Sequence, residues 1–131
     1  MIKQTLCWAL CGISVWAHAD WDVPIAATTE ANYYADPETK RSSVVPSVWI
    51  LADYYRPQHR ADHNRNYLSV KVLNEADCMA GNLRMVSSIY YSLAMGKGDA
   101  LSFSTHTSEW DRPAARSPSA SILEYLCPKK Q

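Results

Sequence analysis

The cysteines constrain the fold of this sequence more than any other residue type. The number of cysteines that remain in the mature chain depends on how its N-terminus is processed. The 131 residues include four cysteines: Cys7, Cys11, Cys78 and Cys127. The first two lie in the uncharged, mostly apolar stretch 6–16, which follows Lys3 and precedes Ala-His-Ala at 17–19. This pattern predicts a secretory signal peptide that is cleaved after Ala19. The apolar stretch is shorter than the roughly 20 residues that a membrane span requires.

Lipid attachment at Cys11 is the alternative fate of the N-terminus. A lipoprotein signal places a small residue directly before the modified cysteine, usually with leucine three positions earlier. Here Leu10 precedes Cys11 and Trp8 occupies the upstream position, so cleavage after Ala19 is favoured. The predicted organisation is a signal peptide, residues 1–19, followed by one exported domain, residues 20–131, that is either periplasmic or associated with the cell surface.

After cleavage only Cys78 and Cys127 remain, and two cysteines allow one connectivity. An exported protein with an even cysteine count is expected to form disulfides. A bond between residues 49 positions apart would remove about 4 kcal/mol of chain entropy from the unfolded state. Two free, buried thiols are the alternative. The sequence therefore predicts that a disulfide holds the C-terminus.

The charge balance excludes one class of partner. The chain has 13 basic and 13 acidic residues, and loss of Lys3 leaves 12 against 13. A nearly neutral domain lacks the basic excess that nucleic-acid binding requires. We therefore expect no nucleic-acid partner.

Alternating apolar and polar residues predict strands along most of the exported chain. The candidate strands are WDVPIAAT, ANYY, VPSVWILADYY, YLSVKVL, LRMVSSIYYSLA and DALSFSTHT. In YLSVKVL, strict alternation places Leu68, Val70 and Val72 on one face of the sheet and Tyr67, Ser69 and Lys71 on the other. Continued to Cys78, the same alternation places the disulfide on the face of Leu68.

The last two candidate strands are joined by Met95-Gly96-Lys97-Gly98. Two glycines in a short connection predict a hairpin, because glycine supplies the positive φ angles of such turns. The segment does not match a phosphate-binding loop. We therefore expect a structural turn.

One C-terminal helix of about ten residues is predicted before Pro128. Its start is either Ser117-Pro118 or the capping box that begins at Ser121. So short a helix is not stable alone in water, and its apolar residues share one face. The predicted fold is therefore α+β: an antiparallel sheet of about six strands with a C-terminal helix packed on one face and disulfide-linked to it.

These motifs, taken together, resemble the surface-adhesin protein E family. The resemblance rests on Asn32-Tyr33-Tyr34 with Asp36-Pro37, Val48-Trp49 with Asp53-Tyr54, Tyr67 to Lys71 leading to Glu75-x-Asp77-Cys78, Tyr91-Ser92 with Met95-Gly96-x-Gly98, and the helix that ends in Cys127. It implies a bacterial envelope protein with a helix held on the concave face of a sheet. It further implies an adhesin that binds host extracellular-matrix proteins such as vitronectin and laminin, with no cofactor. A soluble periplasmic protein that binds a cell-wall or outer-membrane component is the second hypothesis.

The densest basic stretch, RPQHRADHNRN, is the predicted partner-binding loop. Its cationic and titratable residues are Arg56, His59, Arg60, His63 and Arg65. Such a loop could contact an acidic patch on a partner or anionic lipid headgroups. The resemblance implies a ligand contact at Arg65. An ordinary solvated loop is the plainer interpretation.

No catalytic site is predicted. His59 and His63 flank Asp62 in a pattern similar to an inverted zinc-protease signature, but that signature works on a helix. Pro57 and the polar residues around it disfavour a helix here. Pairing of Cys78 with Cys127 would also leave no free thiol as a nucleophile. We therefore expect neither an enzyme nor a metal site.

Tyrosines occur in adjacent pairs at 33–34, 54–55 and 90–91. Neighbours in a strand face opposite ways, so one member of each pair should be core and the other surface. A row of exposed tyrosines would be a plausible protein-binding face, because the ring offers contact area at low entropic cost.

Overall fold

The computed structural model describes residues 21, 23–61 and 64–129. The predicted signal peptide, Cys11 and His63 lie outside the described residues. Six strands form one antiparallel sheet: β1 Ala26–Ala27, β2 Ala31–Ala35, β3 Ser47–Gln58, β4 Tyr67–Asp77, β5 Asn82–Tyr91 and β6 Ala100–Ser104. Each strand pairs with its neighbour in sequence, so the order is β1-β2-β3-β4-β5-β6. One α-helix follows, α1 Pro118–Leu126. The predicted α+β fold is confirmed.

Helix α1 begins at the first of the two predicted start signals. Ser117 is the N-cap, its side chain accepts a hydrogen bond from the Ala120 N–H at 3.2 Å, and Pro118 occupies the first turn. The last turn closes with the Cys127 N–H donating to the Leu123 carbonyl. Among the described residues, no helix is long and apolar enough to cross a bilayer.

The disulfide joins the last turn of α1 to the end of β4. Cys78 and Cys127 are bonded, with Cα atoms 5.5 Å apart, and both are partly buried against the core. Alternation along β4 therefore holds from Val70 to Cys78, and the bond lies on the buried side as predicted.

The core lies between α1 and one face of the sheet, which we call the helix face. Its buried members are Ala35, Val48, Ile50, Ala76, Leu83, Ile122 and Leu126. Ile50 pairs with Val72 across β3 and β4, and Ala76 pairs with Leu83 across β4 and β5. Side chains of one parity from neighbouring strands thus meet under the helix.

The β5–β6 connection is the predicted hairpin. The 3-10 turn Ala94–Gly96 packs against β3 and β4, where the Ser69 hydroxyl donates to Leu93 O and accepts from Gly96 N–H. Met95, Gly96 and Gly98 all have positive φ. Gly96 has φ +68°, so its left-handed backbone conformation favours glycine there.

Three boundaries differ from the sequence prediction. Strand β1 covers only Ala26–Ala27, and β6 ends at Ser104, so His106 is exposed outside the strand. Strand β3 continues to Gln58 and so includes Arg56. Within this longer β3 the pairing with β4 has a register shift between Asp53 and Gln58, and it resumes with the pair Gln58 and Tyr67.

Candidate functional site

A groove of about 840 Å³ opens on the helix face beside α1. Its floor includes Ala52, Val70 and Val72 from the central strands, whose small side chains leave space above the sheet. One wall is the start of α1, at 117–119 and Ile122. Another is the segment 108–114, which follows β6. The predicted proline-bearing linker therefore forms part of a cavity.

The segment 108–114 is held in place by backbone pairing with β5. Leu83 and Asp111 donate to each other's carbonyl at 2.9 and 3.0 Å, and the Ser108 N–H donates to Met85 O. The Arg112 guanidinium donates to Ala80 O. The wall thus has defined hydrogen bonds despite lacking regular secondary structure.

Four tyrosines line the end of the groove away from α1: Tyr33, Tyr54, Tyr67 and Tyr90. We call them the tyrosine row, because one residue comes from each of β2, β3, β4 and β5. The rings of Tyr54 and Tyr67 pack edge to face with centroids 5.9 Å apart, and those of Tyr67 and Tyr90 at 4.8 Å. Within the described part of the chain, none of the four hydroxyl groups has a hydrogen-bond partner.

Burial makes three phenols of the row, those of Tyr33, Tyr54 and Tyr67, weaker acids by raising their pKa. Desolvation, with smaller effects from Tyr33, Tyr67, Tyr90 and Glu30, raises the pKa of Tyr54 to about 12. Burial also raises the pKa of Tyr33, with a further effect from Glu30. Burial and Tyr90 raise the pKa of Tyr67, while the positive charge of Arg60 opposes them. These hydroxyls therefore stay protonated at neutral pH and are hydrogen-bond donors.

Charged residues mark the other end of the groove, near the 108–114 segment. Arg84 Nη2 lies 2.7 Å from Glu75 Oε1, and the Arg84 guanidinium stacks on the Trp110 ring at 4.2 Å from its centroid. The buried Asn74 amide donates to the Val72 carbonyl. Glu75, Arg84 and the Asn74 amide thus have partners within the protein, whereas the tyrosine hydroxyls are unpaired in the described part of the chain.

The sequence and the fold were compared with known proteins. A profile of the surface-adhesin protein E family matches residues 21–128. The chain belongs to the surface-adhesin protein E family. No curated protein matches the sequence significantly.

Solved structures of one member of the surface-adhesin protein E family share the fold. Haemophilus influenzae protein E is similar with a TM-score of 0.57 and 14% identity, over 79% of this chain and 88% of that chain. Its selenomethionine form gives a TM-score of 0.58 and 15% identity, over 80% and 92%. At such low identity the likeness supports the shared fold alone.

The described residues of the predicted partner-binding loop do not form one cationic cluster. Arg56 is exposed in β3, and His59 Nδ1 lies 3.3 Å from Asn66 Oδ1. Arg65 Nη1 is 2.9 Å from Asp99 Oδ2 at the surface. Arg60 stacks over the Tyr90 ring, 4.3 Å from its centroid. Of the four described residues of this set, only Arg60 reaches the tyrosine row.

The sequence suggested a row of exposed tyrosines as a binding face, but it did not predict which tyrosines form the row or that they line a groove. Tyr90 lines the groove while Tyr91 lines a hollow on the opposite face, so neither is core. Tyr67 is on the helix face with Tyr54, not on the face that strict alternation predicts. The register shift in β3 lies opposite the start of β4 and accounts for this difference.

The hollow on the opposite face is smaller, about 260 Å³. Lys71 lies within it, with Nζ 5.1 Å from the Tyr91 ring centroid and 5.9 Å from that of Trp21. These cation–π contacts place the lysine charge against aromatic rings. Among the described residues, no group of three or more His, Cys, Asp or Glu side chains is arranged to hold a metal ion.

Proposed function

We propose that this chain is an exported, non-enzymatic binding protein of the bacterial cell envelope, and that the tyrosine end of the groove is its ligand-binding surface. Membership of the surface-adhesin protein E family supports a binding role. The observation that carries the site is the row of four half-buried phenols with hydroxyl groups unpaired by the described protein. Ordered aromatic rings with free donors are typical of surfaces that recognise a partner.

The frame around the groove is suited to binding without large rearrangement. The disulfide anchors one end of α1 to β4. Lys40 Nζ donates to Tyr125 O at 3.0 Å and lies 4.6 Å from the Tyr125 ring centroid, which ties the helix to the segment after β2. A preorganised wall lowers the entropic cost of binding.

Host matrix proteins are the ligands that the family resemblance implies, with vitronectin and laminin as the first candidates. In this proposal Arg60 belongs to the binding surface because it stacks on Tyr90. Arg56, His59, His63 and Arg65 remain candidate partner contacts.

A periplasmic role is the second candidate. Leu10 and Trp8 fit a lipid-attachment signal poorly, and cleavage after Ala19 would leave the domain without an anchor. The ligand would then be a cell-wall or outer-membrane component. In both cases the groove is the proposed binding surface.

The first experiment locates the protein in its native cells by fractionation and measures its intact mass. A chain that begins at Asp20 and leaves with the periplasm on osmotic shock would contradict the adhesin role. A lipid on Cys11 with removal by external protease would support it. Export itself is refuted if the intact chain with residues 1–19 stays in the cytoplasm.

The second experiment tests the groove. Purified protein is passed over immobilised vitronectin, laminin and isolated cell-envelope fractions. The variant Tyr54→Ala/Tyr90→Ala should lose retention, while Tyr55→Ala, at an exposed tyrosine whose hydroxyl donates to Asn32 on the opposite face, should keep it. Equal loss in both variants would reject the groove as the binding surface.

A further inference from the structure

The groove presents different chemistry at its two ends. The tyrosine row lies over Ala52 and Val70, so that end consists of aromatic rings, small aliphatic side chains and phenol donors. The carboxylate and amide side chains of the lining, Asn74, Glu109 and Asp111, are at the other end, near α1 and the 108–114 segment. A ligand at the tyrosine end therefore needs apolar surface and hydrogen-bond acceptors, but few donors.

We infer that the tyrosine row binds an extended, proline-rich peptide segment in the polyproline II conformation. This inference deepens the proposed function by naming a ligand class for the same groove. Polyproline II segments dock on aromatic-lined grooves in several unrelated domains, because the helix is preformed and loses little entropy on binding.

The spacing of the rings matches this ligand. The row crosses four neighbouring strands, and successive measured centroids lie 5.9 and 4.8 Å apart. A polyproline II helix advances about 3.1 Å per residue with three residues per turn, or about 9 Å per turn. The length of one turn is therefore close to the distance spanned by two successive ring-to-ring spacings of the row.

The hydrogen bonding is complementary as well. A polyproline II backbone makes no internal hydrogen bonds, and its proline residues have carbonyl acceptors but no N–H donors. The tyrosine row supplies the reverse, with protonated hydroxyls that have no acceptor in the described protein. Arg60 covers the face of Tyr90, so a ligand meets that ring through its edge and hydroxyl.

A sugar chain fits this end less well. Sugar hydroxyls donate as well as accept hydrogen bonds, and the carboxylate and amide acceptors of the groove lining, Asn74, Glu109 and Asp111, lie at the other end. At the tyrosine end the only side-chain acceptors of the lining are the phenol oxygens, which also donate. This end therefore favours a ligand that mainly accepts hydrogen bonds, as a proline-rich peptide does.

The test uses fluorescence anisotropy with the purified, exported protein and a fluorescein-labelled ten-residue polyproline probe. A Gly-Ser peptide of equal length and a labelled N-acetylglucosamine tetramer are the comparison probes. The polyproline probe should bind in preference to both. Tyr54→Phe and Tyr90→Phe each remove one hydroxyl and should weaken binding about fivefold. Tyr55→Phe is the matched control and should leave binding unchanged.

Three outcomes would overturn the inference. The first is polyproline binding that is equal in Tyr54→Phe, Tyr90→Phe and the wild type. The second is binding of the tetrasaccharide alone. The third is no binding of any probe by protein that still binds an envelope or matrix component through Tyr54 and Tyr90. The last two leave the groove as a binding surface, so they reject the ligand class without rejecting the proposed function.

Discussion

The helix face of the sheet has two ends that share strands but differ in their covering: α1 packs over one end and leaves the other end open. Under α1, the side chains of Val48, Ile50 and Ala76 are almost completely buried, and Ile122 and Leu126 close over them. At the other end, Tyr54 and Tyr67 come from the same strands, β3 and β4, and remain partly exposed. Length accounts for part of the difference: a nine-residue helix is about 14 Å long, whereas the 12-residue β3 spans about 40 Å.

The comparison teaches that one end serves stability and the other is available for binding. Burial of aliphatic side chains lowers the free energy of the folded state, so the helix-covered end contributes to stability through packing alone. The four phenols of the row are half-buried, and their hydroxyl groups have no hydrogen-bond partner within the described protein. In the proposed function, a ligand that accepts from these hydroxyls adds those hydrogen bonds. The uncovered end is therefore the part of the helix face that we propose for a partner.

Removal of the disulfide should have the largest effect, and it should fall on the helix-covered end. The variant Cys78→Ser/Cys127→Ser frees a loop between residues 49 positions apart, which should lower the free energy of unfolding by about 4 kcal/mol. Urea denaturation measures the loss. Hydrogen exchange should show α1 amides losing protection before those of β3 and β4. Uniform loss across the domain would contradict the division into two ends.

Truncation under the helix comes next. Leu126 is 3% exposed, so Leu126→Ala removes buried methyl groups and should cost about 3 kcal/mol. The matched control is Leu93→Ala, because Leu93 is 54% exposed and its truncation should change stability by less than about 0.5 kcal/mol. Both are read from urea midpoints. Equal effects would mean that α1 does not close the core in solution.

Alkaline pH should act on the tyrosine end. The pKa of Tyr54 is raised by burial to about 12 in the folded chain, against an ordinary value of 10.0 for an exposed phenol. Between those two pH values the unfolded chain has lost this proton while the folded chain keeps it, so stability falls as pH rises from 10 to 12. Below pH 10 this contribution is fully present and constant.

The measurement is the urea midpoint at several pH values from 9 to 12. Tyr54→Phe should flatten the decline relative to the wild type, and Tyr55→Phe, which removes an exposed phenol from the opposite face, should flatten it less. Identical slopes in all three proteins would show that Tyr54 is not desolvated in solution.

The sequence predicted the helix-covered end much better than the tyrosine end. Alternation in β4 and the count of two cysteines were enough to place Cys78 and Cys127 together, because both are local or combinatorial features. The side of Tyr67 depends on a register shift in the neighbouring strand β3, which no local pattern records. The groove walls need α1 and the 108–114 segment to pack across the sheet, and such long-range packing is not visible in residue spacing.

The predicted basic loop shows the same limit. Its composition indicated a cationic surface, but Arg65 pairs with Asp99 from the β5–β6 connection and Arg60 stacks on Tyr90 from β5. Both partners are distant in sequence. Charge density along the chain therefore identified the segment, but it did not predict that, of the described residues in that segment, Arg60 is the one that reaches the groove.

The smallest expected effect is the most informative about the tyrosine end. Tyr54→Phe at neutral pH removes a hydroxyl group that has no partner in the described protein, so it should change the free energy of unfolding by less than about 0.5 kcal/mol, with slight stabilisation as the expected sign. Ring packing against Tyr67 is kept, since phenylalanine has the same ring. The urea midpoint of this variant is compared with that of Tyr67→Ala, which removes the ring at the centre of the row and should cost more. A loss above about 1 kcal/mol in Tyr54→Phe would mean that the hydroxyl has a structural partner in solution. In that case the tyrosine end would be a second core, and the contrast between the two ends would disappear.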